Sequence, residues 1–445
     1  MRFPLTRAAS SPGWTYEEAL ADLDSRVNLE AVVLGRAAAP TLDRIAALTS
    51  VMGEPQRSYP VIHVTGTNGK GSTVAMASAL IAARGLSVGT FTSPDLERVN
   101  ERIARDGRPI GDEDLAGALE AVAALEAVAG ARATRFELLT AAAYRWFADQ
   151  AVDVAVIEVG LGGRWDATNV VDAAVAVVTN VALDHAEIIG PERRDIAREK
   201  AGIVKPNSRL VLGETDPVLA EPFRAAGAAE VWARGADFGL DANALAHGGR
   251  VLDLRTPGAA YDQVFLPAYG AHQGDNAAVA VAATEALFDV PLGDDALRQA
   301  LAAVHLKGRM EVVGRQPLVV LDGAHNPAGA AAAAATLADD FATVPSRVLV
   351  VGLLRGRDPT EMLRHLAGDR TRLVVTCDPP SPRALPAEEV AAAARSLGLA
   401  AEDAPSPAAA LDVALAAARP DELVLVTGSL YLVGIARRLF RDRTA

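Results

Sequence analysis

The stretch "HVTGTNGKGST", residues 63–73, decides how the first half of the chain is read. It looks like a phosphate-binding loop but departs from G-x-x-x-x-G-K-[ST] twice: Val64 stands where the first glycine belongs, and Gly71 separates Lys70 from Ser72. Its flanks still suit a phosphate cradle. "VIHVTG" predicts a strand, "GTNGKG" a tight turn, and "STVAMASALIAARG" a helix ending on Gly85. Glycines in such a turn let backbone N–H groups approach an anion, and the helix N-terminus adds positive potential. Lys70 would reach the terminal phosphates, with Ser72 or Thr73 helping to hold phosphate or metal. The same residues also fit a plain glycine-rich turn with a surface lysine.

Outward from the loop, short β-branched runs alternate with alanine-rich helical stretches, the pattern of a mostly parallel sheet covered by helices. The first part predicts strands in "PVIHVTG", "SVGTFTS", "VDVAVIEVG", "AAVAVVTNV" and "RLVLGE". A patchier stretch, about 229–266, reads as small strands or hairpins, and "GDNAAVAVAATEALF" as a helix. The alternation then restarts with "PLVVLDG", "RVLVVGLL", "RLVVTCD" and "ELVLVTGS". These patterns divide the chain into domains 1–306 and 307–445, consistent with 445 residues being too many for one core.

Composition narrows the function. Half the residues are hydrophobic and 22% are charged, so a globular protein is expected. A net charge of −13 argues against nucleic acid as a general partner, since phosphate backbones are held by an excess of Lys and Arg. "MRFPLTRAAS" has no apolar leader core, and no run approaches the roughly 18 apolar residues of a membrane span. The lone Cys377 cannot form an internal disulfide. A cytoplasmic, monomeric protein that binds small molecules and no membrane is the expectation.

Further residues could carry chemistry. Glu158, in "VIEVGLGGRWDATNVV", ends an apolar strand at the edge where parallel sheets bind ligands, although a solvated strand-end carboxylate reads the same way. Asp184 and His185 follow another strand. Carboxylate and neutral imidazole are both competent metal ligands, and Mg²⁺ between phosphates takes only one or two protein groups. Lys200, in "IAREKAGIVK", reads alone as a surface lysine. "VVLDGAHNP" puts Asp322, His325 and Asn326 at a strand-to-helix turn, with Pro327 suited to the first helical position. Arg309 lies close to the proposed hinge.

At this point the chain resembles a family. "GTNGKGS", "FTSP", "NERI", "FELLTAAA", "EVGLGGRWDATN", "DH", "EKAGIVKP", "HQGDNAAVA", "GRME", "DGAHNP" and "VTGSLYLVG" occur in the order seen in folylpolyglutamate synthases and bifunctional dihydrofolate synthases of the Mur ligase superfamily. The resemblance runs from "PTLDRIAAL" to the C-terminus. It implies an α/β fold: an N-terminal P-loop-type ATPase domain with a mostly parallel sheet, and a smaller Rossmann-like α/β domain carrying glutamate ligation. It also implies that Gly66, Thr67, Asn68, Gly69, Lys70, Gly71 and Ser72 cradle the ATP phosphates. Ser93, Glu158 and His185 match ligands of a first Mg²⁺. Lys200 matches a lysine whose carbamylated form supports a second Mg²⁺. Asn276, Arg309 and Asp322 match nucleotide contacts, and His325 would lie near the transferring phosphate.

The implied reaction is ATP-dependent addition of L-glutamate to dihydropteroate or to a reduced folate. It passes through an acyl phosphate, because a free carboxylate is a poor electrophile. Three positions depart from the family pattern: Asp95 where His is common, Leu306-Lys307 where Trp-Pro is common, and Arg355 to Asp358 where Asp-Lys-Asp is usual. Two rival readings remain. A peptidoglycan-type Mur ligase would carry a separate N-terminal domain, whereas 65 residues precede Gly66 here. A non-catalytic nucleotide-binding switch would bind nucleotide without acceptor-dependent turnover.

Overall fold

In the computed structural model, which describes residues 13–28 and 41–444, the β-branched runs become strands. Val61–Thr65, Val154–Glu158 and Val175–Val178 are buried at every position, which explains why they read as continuous apolar runs without alternation. They form the centre of an eight-stranded sheet ordered Arg108–Pro109, Ile103–Arg105, Val88–Phe91, Val154–Glu158, Val61–Thr65, Val175–Val178, Arg209–Leu212, Glu230–Ala233. From Val88–Phe91 onward all neighbours pair in parallel; the first two strands add an antiparallel edge.

Helices Lys70–Ala82 and Ala271–Phe288 bury Val74, Ile81, Val279 and Val281 against one face of this sheet. Asp112–Ala123 and Arg135–Asp149 bury Leu119, Leu139 and Phe147 against the other. Each large apolar side chain buried there contributes about 1.5–3 kcal/mol to folding of the first unit. Arg135–Asp149 starts in a capping box between Thr134 and Glu137. The patchy stretch gives Glu230–Ala233 to the main sheet and then a three-stranded antiparallel sheet, Gly239–Ala246, Gly249–Arg255 and Ala260–Leu266, packed on Ala271–Phe288.

The second unit is a six-stranded sheet ordered Glu311–Arg315, Leu318–Leu321, Leu423–Thr427, Arg347–Val351, Thr371–Thr376, Ala401–Asp403. Only the first pair is antiparallel, and separate cores cover the two faces. The fold is the expected α/β arrangement of mostly parallel sheets. The helix after the phosphate loop differs in its bounds: it starts at Lys70, directly after Gly69, and ends at Ala82. Residues 1–10 and Pro40, read in the sequence above, lie outside the described residues. No described helix is long and apolar enough to cross a membrane.

Candidate functional site

Gly66–Gly71 leaves the central strand Val61–Thr65 and is pinned onto the neighbouring strand end. Thr67 N–H donates to the Asn180 carbonyl at 2.9 Å, and Asn68 N–H to Asn180 Oδ1 at 3.0 Å. In return, Thr179 Oγ1 donates to the Asn68 carbonyl at 2.6 Å. Two glycines are obligatory here. A Cβ on Gly66, at φ +146°, would stand 1.8 Å from Thr179 Oγ1, and one on Gly69, at φ +84°, would stand 2.3 Å from Asn276 Oδ1. Thus Gly66, which the P-loop pattern does not include, and Gly69, which it does, both serve close approach. Lys70 Nζ donates to the carbonyls of Gly66 and Thr67, at 3.2 Å each.

The carboxyl ends of both parallel sheets face one cleft, the usual place for ligands in such folds. It encloses about 1100 Å³ of space, counting that open to solvent at its mouth. Gly66 to Ser72, Ser93, Glu158, His185, Lys200, Asn276, Arg309, Asp322 and His325 all line it. Thr73 does not; it is buried in the helix core.

Glu158 is 5% exposed and accepts from Ser93 N–H at 3.4 Å. Burial raises its pKa against the pull of Lys70 and Arg309. His185 sits at φ +53°, a backbone state uncommon for a residue with a side chain. Burial pushes its imidazole down to about 4, with Arg357 and His325 adding to the effect, so it is neutral near pH 7. Its Nδ1 is buried with no hydrogen-bond partner. A hydroxyl, a carboxylate and a neutral imidazole with a spare nitrogen fit a divalent cation that takes its other ligands from phosphate and water. Among the described residues no three His, Cys, Asp or Glu side chains cluster into a metal cage.

Lys200 ends the helix Arg193–Lys200 and is buried, its Nζ donating to the Gly66 carbonyl at 2.9 Å. The "GLGGRWDATN" loop packs on this helix end: Arg164 N–H donates to the Glu199 carbonyl at 3.0 Å, and a Cβ on Gly163 would meet the Lys200 carbonyl at 2.8 Å. Burial, then the nearby Lys70, lowers the Lys200 amine to about 7. The surface-lysine reading is therefore set aside.

The second unit closes the cleft. Asp322 accepts from Met310 N–H and Ala324 N–H, both at 2.9 Å, tying the residue before the strand Glu311–Arg315 to the turn that carries His325. His325 Nδ1 lies 2.8 Å from the Gly323 carbonyl, which can only accept, so Nδ1 carries the proton and Nε2 faces Asp184 at 3.6 Å. Asn326 caps the helix Pro327–Asp339. Arg357, within one of the departures from the family pattern, pairs with Asp184 at 2.5 Å. Although burial alone would raise it, contact with His325, His185 and Arg357 holds the Asp184 carboxyl well below its usual range. His272 and Gln273 also line the cleft; the motif "HQGDNAAVA" contains them, but nothing in sequence separated them from the helix around them. Asp95 stands outside the cleft lining and is held by Arg102 Nε at 2.6 Å.

Comparison with known proteins identifies the architecture. Residues 64–284 match the Mur ligase middle domain and 308–430 the Mur ligase glutamate ligase domain. A dihydrofolate synthase/folylpolyglutamate synthase of Mycobacterium tuberculosis is 40% identical over 442 residues, covering 90% of each chain. The chain belongs to the dihydrofolate synthase/folylpolyglutamate synthase family. A folylpolyglutamate synthase of Lacticaseibacillus casei is 36% identical, over 89% of this chain and 93% of its own. Among solved structures, the M. tuberculosis folylpolyglutamate synthase complexed with ADP and AMPPCP superposes with a TM-score of 0.88 at 38% identity, covering 96% of this chain and 98% of that one. The Escherichia coli protein FolC in complex with DHPP and ADP gives 0.84 at 29% identity, over 98% and 100%.

Proposed function

We propose that this chain is an ATP-dependent ligase that joins L-glutamate both to dihydropteroate and to a reduced folate already bearing glutamate, releasing ADP and phosphate. The observation that carries the reading is the cleft itself. A phosphate loop with Lys70, a metal-competent trio and a buried lysine from the first unit face Arg309, Asp322 and His325 from the second.

The site residues keep the roles the resemblance assigns. Gly66 to Ser72 hold the nucleotide phosphates, with Lys70 on the terminal one. Asn276, Arg309 and Asp322 hold the nucleotide from the helix and the second unit, and His325 stands near the transferring group. Ser93, Glu158 and His185 would hold the first Mg²⁺. Bound there, divalent cations screen the triphosphate from the substrate carboxylate and stabilise transferred charge. Lys200 is carbamylated in the active protein and supports the second ion. A buried amine lowered to about 7 supplies the unprotonated nitrogen that carbon dioxide requires.

In the reaction, an acceptor carboxylate oxygen attacks the terminal phosphorus of ATP and ADP leaves. The glutamate amine then attacks the acyl carbon and phosphate leaves. Closure of the two units keeps water from the acyl phosphate. We place the domain boundary at 306/307, between the last helix of the first unit and Gly308, whose φ of +63° opens the hinge. One chain contributes both walls of the cleft, which supports action as a monomer. Free folates and ATP as substrates fit a cytoplasmic enzyme.

The test is ADP release with ATP, Mg²⁺, glutamate and each acceptor in turn. Acceptor-dependent turnover with both is expected. Turnover with only one reduces the chain to a monofunctional ligase, and turnover with neither leaves the nucleotide-switch reading.

A further inference from the structure

The segment from Thr92 to Glu101 touches the cleft at one end and the second unit at the other. Ser93 and Pro94 line the cleft. Three residues beyond Ser93, Leu96 packs against the second unit's core, which includes Val433 and Ala436. Its carbonyl lies so close to the C-terminal helix Leu430–Thr444 that a Cβ on Gly434 would stand 1.8 Å from it.

Glu97, with a side chain 5% exposed, is gripped by Arg437 and, at 2.7 Å, by Arg441. Arg437 Nε also reaches Glu311 Oε1 at 2.9 Å, and Glu311 Oε2 accepts from Gly308 N–H at the hinge at 2.7 Å. The intervening turn is braced. Glu101 accepts from Leu96 N–H at 2.9 Å and Glu97 N–H at 3.1 Å, while Asp95 pairs with Arg102 at 2.6 Å. A continuous link therefore runs from Ser93 to the C-terminal helix. A carboxylate this buried is costly without its cations, so the docked helix adds to the local brace in holding the segment where it stands.

We propose that Glu97 is a positioning residue for the reaction: held by Arg437 and Arg441, it sets where Ser93 stands against Glu158. Docking of the C-terminal helix and cation binding at the cleft then favour each other. This rests on reading Ser93 and Glu158 as cation ligands. Coupling of this kind is reciprocal, so breaking the docking contact must weaken cation binding.

The experiment follows Mn²⁺ binding to the full-length protein with ADP by electron paramagnetic resonance. Glu97→Gln and Arg437→Gln are each expected to weaken Mn²⁺ binding by about 5- to 50-fold, while ADP affinity without divalent cation stays at the wild-type value. Gly434→Ala, which wedges the helix away from Leu96, should give the same shift and keeps the test standing if Glu97→Gln does not fold. Arg438→Gln, on the exposed side of the helix, should bind Mn²⁺ as wild type does. Ser93→Ala separates the premise from the coupling. If Ser93→Ala leaves Mn²⁺ binding unchanged, the ligand reading of Ser93 is wrong and the proposal falls with it. If Ser93→Ala weakens binding but Glu97→Gln, Arg437→Gln and Gly434→Ala do not, the coupling alone is overturned.

Discussion

Asn68 and Asn326 exchange side-chain amide hydrogen bonds across the cleft, 3.3 Å from Asn68 Nδ2 to Asn326 Oδ1 and 3.0 Å in the return direction. The first residue belongs to the phosphate loop and the second to the turn that carries His325, so the pair registers the two units at the site. Asn326 also donates to Asp184 Oδ2 at 3.0 Å and accepts from Gly329 N–H at 2.8 Å as the helix cap. It is fully buried with its amide satisfied on both ends.

These two duties of Asn326 separate by substitution. Serine keeps a helix-capping oxygen but is too short to reach Asn68 and Asp184; alanine loses both. Asn326→Ser should be more stable than Asn326→Ala by about 1 kcal/mol, the usual worth of a cap, while both lose most ligase activity. Urea unfolding and steady-state turnover measure the two effects independently. Equal stability of the two variants would show that the cap contributes nothing.

For Lys200, the expectation is that Lys200→Ala is far less active and is partly rescued by formate or acetate, which replaces the missing anionic group. Carbon-13 NMR with labelled bicarbonate should show a carbamate signal in wild type that is absent from the variant. The signal should persist above pH 7 and fade below it, because protonation of an amine lowered to about 7 blocks addition of carbon dioxide. An unmodified amine in active, metal-loaded protein would rule out the carbamate and leave Lys200 acting as a cation.

The strand ends and the phosphate loop were legible in the sequence because their signals are local. Continuous apolar runs ending in "TGTNGKG", "VIEVG" and "VVLDG" mark the carboxyl edge of a buried parallel sheet, and Gly and Pro punctuate the turns. The antiparallel edges at 103–109 and 311–315 are only partly buried and carry no continuous apolar run, so the same signal is missing there. Nor could local pattern show the contacts that join the units. Arg357 with Asp184, Asn326 with Asn68, and Arg437 with Glu97 are each separated by more than a hundred positions. Thr179 and Asn180 looked like the end of a strand, and only the fold shows them clamping the loop.

Asp95 illustrates the same limit. A free carboxylate at this position would accept from a pterin amino group or repel an acidic tail; in the structure Arg102, with a side chain 3% exposed, holds it. Asp95→Ala should therefore lower stability, by about 1.5–3 kcal/mol for a charged hydrogen bond, and impair both acceptors to the same degree. A selective gain with the polyanionic acceptor, at unchanged melting temperature, would show that the carboxylate faces the tail instead.

Glu422 provides a pH test away from the cleft. Arg372 first, then Ser346 and the Arg419 N–H, lower its carboxyl to about 2 from 4.5. A lowered acid stabilises the fold above the unfolded pKa and loses that contribution as pH falls through the folded one. Its stabilisation is thus complete above about pH 4.5 and lost toward pH 2. Allowing for solvent around Arg372, that amounts to roughly 2 kcal/mol. Urea unfolding should find Glu422→Gln less stable than wild type at pH 7, with the gap closing near pH 2. A gap independent of pH would assign the loss to packing.

The central claim, carboxylate activation by phosphoryl transfer, is tested most directly with an acceptor labelled with oxygen-18 in its reacting carboxylate. Incubated with ATP, Mg²⁺ and glutamate, the protein should release ADP and phosphate in which a single oxygen comes from the labelled carboxylate, with the other labelled oxygen kept in the new amide. Label appearing in AMP, or phosphate carrying none, would contradict the account.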